Sequence, residues 1–577
     1  MNAHAFEAES RAAVYDAIAS RRDIRAGFTM DPIEDATLAR ILAAAHQAPS
    51  VGLSQPWDFL LIRDVEKRQR IQSLAARQRD TFAASLPTGR TRLFDGIKVE
   101  AILATPLNIV VTCDPTRGGP YTLGRHADPR MAPFSAALAV QNLWLAARAE
   151  GIGVGWVSFF DPDELARELN LPAYLDVVAY LCVGHVEQFP PAPELALSGW
   201  ARRRPLAWAV HDETFGDRRL PGGVPVSLLT ETVAAIVPAS ADAMAAAQER
   251  QSTLTKPRGS LGALEDLGTR LCGMYGECPP PLPEPVAVAV FAADHGVHAQ
   301  GVSPWPQEVT TQMVGNFLAG GAVINAFGRQ VGAEVVVVDI GVAGEVPAAP
   351  GLMARKVAAG TADMSKGPAM SPGQVQAAVE VGIDVARDLV AQGNRLLVTG
   401  DMGIANTTAS AALISVFTGL DVAQVTGRGT GIDELMLAHK VSVIESAIRL
   451  NAVSPQDPVA ALAGVGGFEH AGMVGFLLAA AALRTPVILD GVIACSAALV
   501  AKAISPDAAD YWVAGHRSVE PGASAALAHL GLVPLVDLGM RLGEGSGAAL
   551  AVPLVQASAR ILVEVATFDS AGVTDKQ

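Results

Sequence analysis

A short segment near the C-terminus places one carboxylate among glycines in an otherwise apolar stretch. It reads Arg541-Leu-Gly-Glu-Gly-Ser-Gly-Ala-Ala-Leu550. A carboxylate in such surroundings costs free energy unless it is paired or has a chemical task. The glycines around Glu544 let backbone N–H groups approach a ligand closely. The segment therefore predicts a general base beside a bound anion, followed by a helix; the alternative is a helix cap or a buried partner for Arg541.

Three further polar loops lie in the same half of the chain. They read Asp294-His-Gly-Val297, Gly400-Asp-Met-Gly-Ile-Ala-Asn-Thr-Thr408 and Thr426-Gly-Arg-Gly-Thr-Gly431. A Gly-rich turn that opens a helix presents free N–H groups and the positive end of the helix dipole, which suits a phosphate. One such loop is often only a turn, but several at successive strand ends favour a ligand site. The sequence contains neither a Walker A lysine motif nor a GxGxxG after the first strand, which argues against an NTPase and a classical dinucleotide site.

The elements that would position these loops are short apolar runs followed by helix-like segments. Runs without polar alternation indicate strands that are covered on both faces. The second half is therefore expected to be an α/β domain with a mostly parallel, doubly wound sheet plus helical additions, and to bind ligands at the carboxyl ends of its strands. The predicted strands are Val286–Ala293, Glu334–Ile340, Arg395–Thr399, Pro486–Leu489 and Leu532–Val536.

The first half mixes helices and strands at irregular spacing, which predicts an α+β fold. Helical periodicity covers Ala36–Gln47 and Pro133–Glu150, and the predicted strands are Trp57–Ile62, Leu107–Thr112 and Val177–Val183. A polar and then Pro/Gly-rich stretch at 210–226 reads as a linker, although a long loop within one domain is the alternative. The expected organisation is a domain at 1–209, the linker, and a second domain at 227–577.

Composition limits the classes of function. Half of the 577 residues are apolar and 18% are charged, which is typical of a well-packed globular protein. Residues 1–220 carry 24 basic and 26 acidic side chains and the remainder carries 19 and 32, so nucleic acid is not an expected partner. The start of the chain lacks a signal-peptide pattern, and apolar runs such as Phe476–Leu483 are too short to span a membrane. We expect a cytoplasmic protein without a membrane partner.

The five cysteines are an odd number and form no CxxC pair. Most of them lie in apolar runs. Buried, reduced thiols are the expectation, and no metal site is predicted.

The first half has its own candidate ligand site. Ser20-Arg-Arg-Asp-Ile-Arg25 is followed by a small-residue loop at Ala48–Trp57 and by Gly153-Val-Gly-Trp-Val-Ser158. Arginines with such a loop could hold a phosphorylated planar cofactor, because guanidinium binds phosphate and Ser or Gln can meet ring or ribityl oxygens. The alternative for the arginines is a solvated, charged helix end. Arg202-Arg-Arg204 is either a second phosphate contact or a solvated charge run.

Seven motifs in the second half, in this order, resemble those of the nicotinate-nucleotide–dimethylbenzimidazole phosphoribosyltransferase family, over about 227–565. They are Thr255-Lys-Pro-Arg-Gly-Ser-Leu-Gly262, Asp294–Val297, Gly301-Val-Ser-Pro-Trp-Pro-Gln-Glu-Val-Thr310, Gly400–Thr408, Leu489-Asp-Gly-Val-Ile493, Ser518-Val-Glu-Pro-Gly522 and Arg541–Leu550. The resemblance implies transfer of phosphoribose from nicotinate mononucleotide to 5,6-dimethylbenzimidazole, giving α-ribazole 5′-phosphate and nicotinate. The product is the lower-ligand nucleotide of cobalamin.

The resemblance also implies roles for individual residues. Glu544 matches the family's catalytic glutamate and would be the general base, with its pKa raised by an apolar setting. Asp401 stands where the family usually has Glu, one methylene longer. His295 is interpreted as a histidine that structures its loop. The expected substrate-binding residues are Ser303, Gln312, Asp401, Met402, Gly403, Ile404, Asn406, Thr407, Gly427, Gly429 and Glu544.

The segments at Arg21–Arg25, Ala48–Trp57 and Gly155–Ser158 resemble the nitroreductase-like flavoproteins, and among them 5,6-dimethylbenzimidazole synthase, over about 10–210. That family consumes its own reduced FMN with O2. The resemblance implies that Asp23 and Ser158 take part in flavin fragmentation, and that homodimers or higher homo-oligomers form, with the flavin site built across the dimer interface. The expected FMN-binding residues are Arg21, Arg22, Asp23, Ile24, Arg25, Ser50, Gln55 and Ser158.

Together the two resemblances imply a bifunctional enzyme, because the product of the first domain is a substrate of the second. One alternative keeps the second domain and makes the first an FMN reductase or nitroreductase. Another is a non-catalytic nucleotide sensor with degenerate sites, supported only by Asp401.

Overall fold

The computed structural model describes residues 5–223, 226–429 and 431–574. By its internal contacts the chain divides into two compact units, which are Met1–Leu86 with Arg90–Ala201 and Pro87–Gly89 with Arg202–Gln577. Residues 224 and 225 of the predicted linker lie outside the described residues, as does Thr430 of the Thr426–Gly431 loop.

The first unit contains a four-stranded antiparallel sheet in the order β1-β2-β4-β3. Strand β2 is buried along its whole length, and helix α5 packs its small and apolar residues, at helical spacing, against the sheet. The predicted α+β mixture is confirmed. The strands are β1 (Trp57–Ile62), β2 (Leu107–Cys113), β3 (Ile152–Val157) and β4 (Asp176–His185), and the helices are α1 (Ala8–Ser20), α2 (Asp35–His46), α3 (Val65–Ser85), α4 (Thr88–Asp95), α5 (Met131–Ala149), α6 (Pro162–Glu168) and α7 (Glu194–Leu197).

The second unit is built on a six-stranded sheet whose strands are all parallel, in the order β10-β9-β8-β5-β6-β7. Its central strand β5 is buried at every residue, as a strand covered on both faces must be. The predicted parallel α/β architecture is confirmed. The strands are β5 (Val286–Ala293), β6 (Ala333–Gly341), β7 (Leu352–Ala354), β8 (Leu396–Met402), β9 (Val487–Leu489) and β10 (Trp512–Ala514).

Fifteen helices accompany this sheet among the described residues. They are α8 (Leu228–Ala234), α9 (Ala241–Thr253), α10 (Ala263–Tyr275), α11 (Val309–Leu318), α12 (Val323–Val331), α13 (Pro372–Ala391), α14 (Asn406–Thr418), α15 (Val422–Val425), α16 (Glu434–Asn451), α17 (Pro458–Val465), α18 (Phe468–Ala482), α19 (Val492–Ile504), α20 (Pro521–Leu530), α21 (Ser546–Glu564) and α22 (Phe568–Ala571).

The prediction of a strand at Leu532–Val536 is wrong. The edge of the sheet is instead formed by β10, which is three residues long and too short to stand out in the sequence. Leu535 donates its N–H to the carbonyl of Ala514, and Val536 makes only an isolated bridge to His516. Pro534, which has no N–H, interrupts any longer ladder.

The predicted linker packs onto the second unit over part of its length. His211 and Arg218 form an isolated antiparallel bridge, and the side chain of Arg218 is only 7% exposed. Its guanidinium lies 2.6 Å from the carboxylate of Asp384 on α13. A buried arginine needs such a partner, so this stretch is anchored at that point.

Helix α21 is long and apolar enough to cross a membrane by length and composition. The sequence-based expectation that all apolar runs are too short therefore overlooked it. However, 56% of its apolar stretch is buried in the protein, and it contacts α9, α10 and α12. Its burial and its contacts are those of a core helix.

Helices α13 and α18 approach each other through glycines. A Cβ at Gly382 would lie 1.7 Å from the carbonyl oxygen of Gly472, and a Cβ at Gly475 would lie 1.9 Å from that of Val379. Both distances are far below any real contact. The close packing of these two helices behind the sheet therefore requires glycine at both positions.

We predict that Gly382→Ala destabilises the second unit, because the added methyl group forces the two helices apart. Overpacking of this kind costs about 1–3 kcal/mol of unfolding free energy. Differential scanning calorimetry of the full chain measures the effect. Gly373→Ala is the matched control, because it lies on the same helix with no atom within 4 Å of its Cβ position; equal melting temperatures for the two variants would contradict the prediction.

Candidate functional site

A cavity of about 690 Å³ opens at the carboxyl ends of the parallel strands in the second unit. Its walls come from the loops after β8, β9 and β10, from residues 540–544 before α21, and from α11. Eight of the predicted substrate-binding residues line it, namely Asp401, Met402, Gly403, Ile404, Asn406, Thr407, Gly429 and Glu544. The structure therefore brings most of the predicted site together.

Glu544 stands directly before α21, with its backbone in the left-handed region at φ 65°. Its side chain is nearly buried, at 5% exposure, and its Oε2 accepts the N–H of Ile324 at the start of α12, at 3.1 Å. Arg541 does not pair with it and instead donates to the carbonyl of Gly429. Burial raises the pKa of Glu544, while the N–H groups of Ile324 and Val323 partly oppose the rise. The Glu544 carboxylate is therefore held by a hydrogen bond, and its raised pKa favours acceptance of a proton.

The start of α21 is fixed by Asp490, which follows β9. Its Oδ2 accepts the N–H of Gly545 at 3.2 Å, and its Oδ1 accepts that of Ala548 at 2.8 Å. A carboxylate at a helix N-terminus satisfies unpaired N–H groups and complements the dipole. Asp490 thus determines where Glu544 stands. Asp490 lies in the Leu489–Ile493 motif, but no role for it was predicted.

Asp401 lies at the end of β8 and faces the Glu544 loop. Its Oδ2 accepts from the amide of Asn406 at 3.0 Å, and a Cβ at Gly543 would lie 3.1 Å from the same oxygen. Its Oδ1 has no hydrogen-bond partner among the described residues. Burial, together with the nearby charge of Asp490, raises the pKa of Asp401 well above its ordinary value. This carboxyl group is therefore more readily protonated than an exposed one.

A buried lysine lies behind the predicted phosphate loop and was missed from the sequence. Lys440 is 2% exposed, and its Nζ donates to the hydroxyl of Thr407 at 2.8 Å and to the carbonyl of Gly427 at 3.4 Å. Burial lowers its pKa to about 8. Gly427 itself does not line the cavity; it supports Lys440 and packs against the carboxylate of Glu520.

Besides Gly427, two predicted substrate-binding residues do not line the cavity. Gln312 is exposed on α11, and the Ser303 hydroxyl accepts the N–H of Trp305. The wall on this side is formed by Trp305, Val309 and Met313. The residues of α11 that face the cavity are therefore Val309 and Met313, the second of which is the direct neighbour of Gln312.

His295, Glu469 and His470 form a buried polar cluster next to this site. The nitrogens and carboxylate oxygen of these three residues lie within 4.8 Å of one another, a set that could ligate a metal ion. Here they bond to each other: Glu469 Oε1 lies 2.6 Å from His295 Nε2 and 2.8 Å from His470 Nδ1. Burial would raise the pKa of Glu469, but the two histidines outweigh it and lower it. The cluster thus holds a buried carboxylate in its charged form.

In the first unit, Asp23 is held rigidly against β3. Its Oδ1 accepts the N–H of Trp156 at 2.8 Å, and its Oδ2 pairs with Arg25 at 2.6 Å. A Cβ at Gly155 would lie 2.0 Å from the carbonyl oxygen of Ile24, so this contact requires glycine. The same strand leads to Ser158, which is exposed. The predicted residues Asp23, Ile24, Arg25 and Ser158 therefore belong to one group.

The predicted phosphate-binding arginines differ in how well their present contacts would allow them to bind a phosphate. Arg22 donates to the carbonyls of Pro190 and Pro191, and Arg21 stacks 4.6 Å above the ring of Trp144. The Nε of Arg25 is buried and has no partner among the described residues. An anionic group would satisfy that N–H, so Arg25 fits a flavin phosphate better than Arg22 does.

Ser50 and Gln55 lie elsewhere within the same chain. Ser50 Oγ accepts the N–H of Gln55 at 3.0 Å, and the adjacent Val51 bonds to Ser135 near the start of α5. Arg21 contacts Trp144, nine residues further along that helix. Nine residues of helix span about 14 Å, so the Ser50 loop and Arg21 contact α5 at points about that far apart.

Comparison with known proteins divides the chain into two parts, as its internal contacts do. The phosphoribosyltransferase family model matches residues 236–573, and the nitroreductase family model matches residues 18–185. Nicotinate-nucleotide–dimethylbenzimidazole phosphoribosyltransferases from Salinispora tropica and Chloroflexus aggregans are 58% and 54% identical, covering 60% and 61% of this chain and 100% and 99% of their own lengths. The crystal structure of the Thermus thermophilus enzyme matches at 44% identity with a TM-score of 0.56, over 58% of this chain and all of that one. The chain therefore belongs to the nicotinate-nucleotide–dimethylbenzimidazole phosphoribosyltransferase family, and it carries a nitroreductase domain fused on the N-terminal side.

Proposed function

We propose that the chain is a bifunctional enzyme that makes the lower-ligand nucleotide of cobalamin. The domain at 227–577 transfers phosphoribose from nicotinate mononucleotide to 5,6-dimethylbenzimidazole. The domain at 1–209 produces that base from reduced FMN and O2. The observation that carries the transferase assignment is Glu544, a nearly buried carboxylate that lines the strand-end cavity and accepts a hydrogen bond from a backbone N–H group.

The transfer needs one proton acceptor. One nitrogen of the benzimidazole attacks C1′ of the ribose, and the bond from C1′ to the pyridinium nitrogen breaks. The bonding electrons return to the ring and leave neutral pyridine nitrogen, so the departing nicotinate requires no acid. The attacking base loses its N–H proton to Glu544, which is a general base of the kind that burial favours.

The phosphate of the nucleotide is assigned to the loop that opens α14. Asn406, Thr407 and Gly429 line the cavity there, and the ammonium group of Lys440 lies directly behind Thr407. A helix N-terminus with a buried cation is a good site for a dianion. The apolar wall of Val309, Met313 and Met402 then suits the flat benzimidazole.

In the first domain we assign FMN to the group around Asp23, Arg25 and Ser158. Reduced FMN and O2 supply the oxidative chemistry when they are bound. Arg25 would hold the phosphate, while the fixed carboxylate of Asp23 and the hydroxyl of Ser158 would move protons near the ribityl chain. Ser50 and Gln55 would reach the flavin of a second copy, which requires a homodimer.

The second candidate for this domain is an FMN reductase or nitroreductase. Asp23 favours fragmentation over simple electron transfer, because a carboxylate pinned by the N–H of Trp156 and by Arg25 is positioned for proton removal. A non-catalytic sensor is less well supported, because the cavity retains its base and its phosphate loop.

We predict that Glu544→Gln abolishes the transfer while nicotinate mononucleotide still binds. The amide keeps the shape of the side chain but cannot accept the proton, and loss of a general base typically costs about 100- to 10,000-fold in rate. Product formation is measured by chromatography with both substrates supplied. Glu564→Gln, at the far end of α21, is the control; full activity of Glu544→Gln would show that another group is the base.

The pH dependence of kcat/KM should have two limbs. On the acid side activity falls as Glu544 is protonated, at pH values above the ordinary glutamate pKa of 4.5, because its pKa is raised. On the alkaline side it falls through a pH of about 8, as Lys440 loses the charge that attracts the phosphate. Lys440→Met should remove the alkaline limb and increase KM for the nucleotide; an unchanged alkaline limb would contradict this role.

We predict that the first domain destroys its flavin. The protein with bound FMN is photoreduced without O2 and then exposed to air, and flavin absorbance should be lost in proportion to the dimethylbenzimidazole formed. With nicotinate mononucleotide present, α-ribazole 5′-phosphate should appear without added base. Asp23→Asn should reoxidise without loss, whereas the exposed control Asp31→Asn should behave as the unmodified protein does. Simple reoxidation of the unmodified protein would identify a reductase.

A further inference from the structure

The buried cluster of His295, Glu469 and His470 has no part in the chemistry proposed above. His295 lies in the loop after β5, Glu469 and His470 lie in the first turn of α18, and all three are at most 1% exposed. Glu469 Oε1 lies 2.6 Å from His295 Nε2 and 2.8 Å from His470 Nδ1. Ligand atoms around one tetrahedral metal ion lie about 3.3 Å apart, so these shorter contacts are those of ion pairs. Burial of such groups costs free energy, and a gain elsewhere in the structure must offset it.

His470 joins this cluster to helix α14. Its Nε2 lies 2.8 Å from the hydroxyl oxygen of Ser410, which is completely buried. The hydroxyl group of Ser410 donates to the carbonyl of Asn406 at 3.0 Å. Because the only hydroxyl hydrogen is used there, the oxygen of Ser410 accepts the N–H at Nε2 of His470. The imidazole therefore bonds to the first turn of α14 through Nε2, while Glu469 pairs with its other nitrogen.

The first turn of α14 needs such support. The helix begins after Ala405, whose backbone is left-handed at φ 76°, and no side chain caps this end of the helix. A left-handed backbone is unfavourable for a residue with a Cβ and persists only where the surroundings determine it. Directly before it, the N–H of Ile404 donates to the hydroxyl of Thr310 at 3.2 Å. Thr310 and Ser410 thus hold the residues on either side of Ala405.

Asn406 connects this turn to the cavity. It is the first residue of α14, it lines the cavity, and its amide donates to Asp401 Oδ2 at 3.0 Å. The carbonyl of the same residue is the group that Ser410 contacts. A continuous chain of polar contacts therefore leads from the buried cluster to the cavity wall.

We propose that His470 is a positioning residue that keeps the first turn of α14 in the conformation that binds the phosphate of nicotinate mononucleotide. It acts through Ser410, and the carboxylate of Glu469 holds its imidazole in place. This inference rests on the phosphoribosyl transfer proposed above, which assigns the phosphate to this turn. His470 itself is completely buried and is not among the residues that line the cavity. It orders the turn before the nucleotide arrives, which lowers the free-energy cost of binding.

Titration calorimetry of the full chain with nicotinate mononucleotide tests this role. His470→Ala should weaken binding about tenfold, which corresponds to the loss of one good hydrogen bond. His470→Gln places an amide N–H where Nε2 stands and should bind within about threefold of the unmodified protein. His470→Asn reaches only as far as Nδ1, so it should bind as weakly as His470→Ala.

Ser410→Ala removes the other half of the contact. It should weaken binding as much as His470→Ala does, and the double variant should be no weaker than either single variant, because both act through one bond. Ser558→Ala is the matched control, since Ser558 is also completely buried and donates its hydroxyl to a carbonyl of its own helix, α21. It should bind the nucleotide as the unmodified protein does, even if its melting temperature falls equally.

The outcomes separate this inference from the proposed function. Unchanged affinity in a folded His470→Ala would overturn the positioning role, as would equal affinities of the Gln and Asn variants. If His470→Ala does not fold, Ser410→Ala decides the matter, because it removes a single oxygen atom. Absence of nucleotide binding by the unmodified protein would contradict both the transfer and this inference. The expected order of affinities without turnover would support the inference and contradict the transfer.

Discussion

The candidate transferase site depends on one buried carboxylate that joins a strand end to a helix start. Asp490 follows β9, and its two oxygens accept the N–H groups of Gly545 and Ala548. These bonds fix the first turn of α21 and, with it, the left-handed backbone of Glu544. Without them the glycines on both sides of Glu544 would leave its direction undetermined, because glycine adopts many conformations at similar cost. The position of the proposed base Glu544 is therefore set by Asp490, which need not take part in the reaction.

The charges around each carboxyl group explain why the pKa values of Asp401 and Glu544 are raised while that of Glu469 is lowered. Glu469 is buried completely, yet it bonds to two histidines and its pKa is lowered. Asp401 and Glu544 are also buried, but each receives only neutral donors, so burial raises their pKa values. The buried cation Lys440 lies behind the phosphate loop instead of beside the base, and Arg541 in the cavity wall donates to the carbonyl of Gly429. The same fold thus keeps one acid permanently charged and leaves others able to exchange protons.

The parts of this site that could be predicted from the sequence are those encoded in continuous segments. The Glu544 segment and the loop before α14 carry glycines and polar residues side by side, and both line the cavity. Lys440 was missed because it is a single polar residue whose role depends on elements distant in the sequence. Lys440 reads as the exposed face of an ordinary helix. Gln312 was assigned one position away from Met313, since the direction of a side chain on α11 depends on how the helix packs.

The residues assigned to ligands are arranged differently in the two units. The residues that line the transferase cavity come from several loops of one chain, so their convergence follows from the parallel sheet. The predicted flavin residues contact α5 at two separate points, because the Ser50 loop bonds to Ser135 and Arg21 contacts Trp144, about 14 Å further along the helix. Helix α5 also exposes Phe134 and Leu138, and no residue of α1 is buried. Apolar faces of this kind are stabilised by a partner surface, and a second copy would cover them while supplying the missing half of the flavin site. We therefore propose that two chains build the flavin site, whereas the groups assigned to the phosphate of nicotinate mononucleotide and to the general base lie within a single chain.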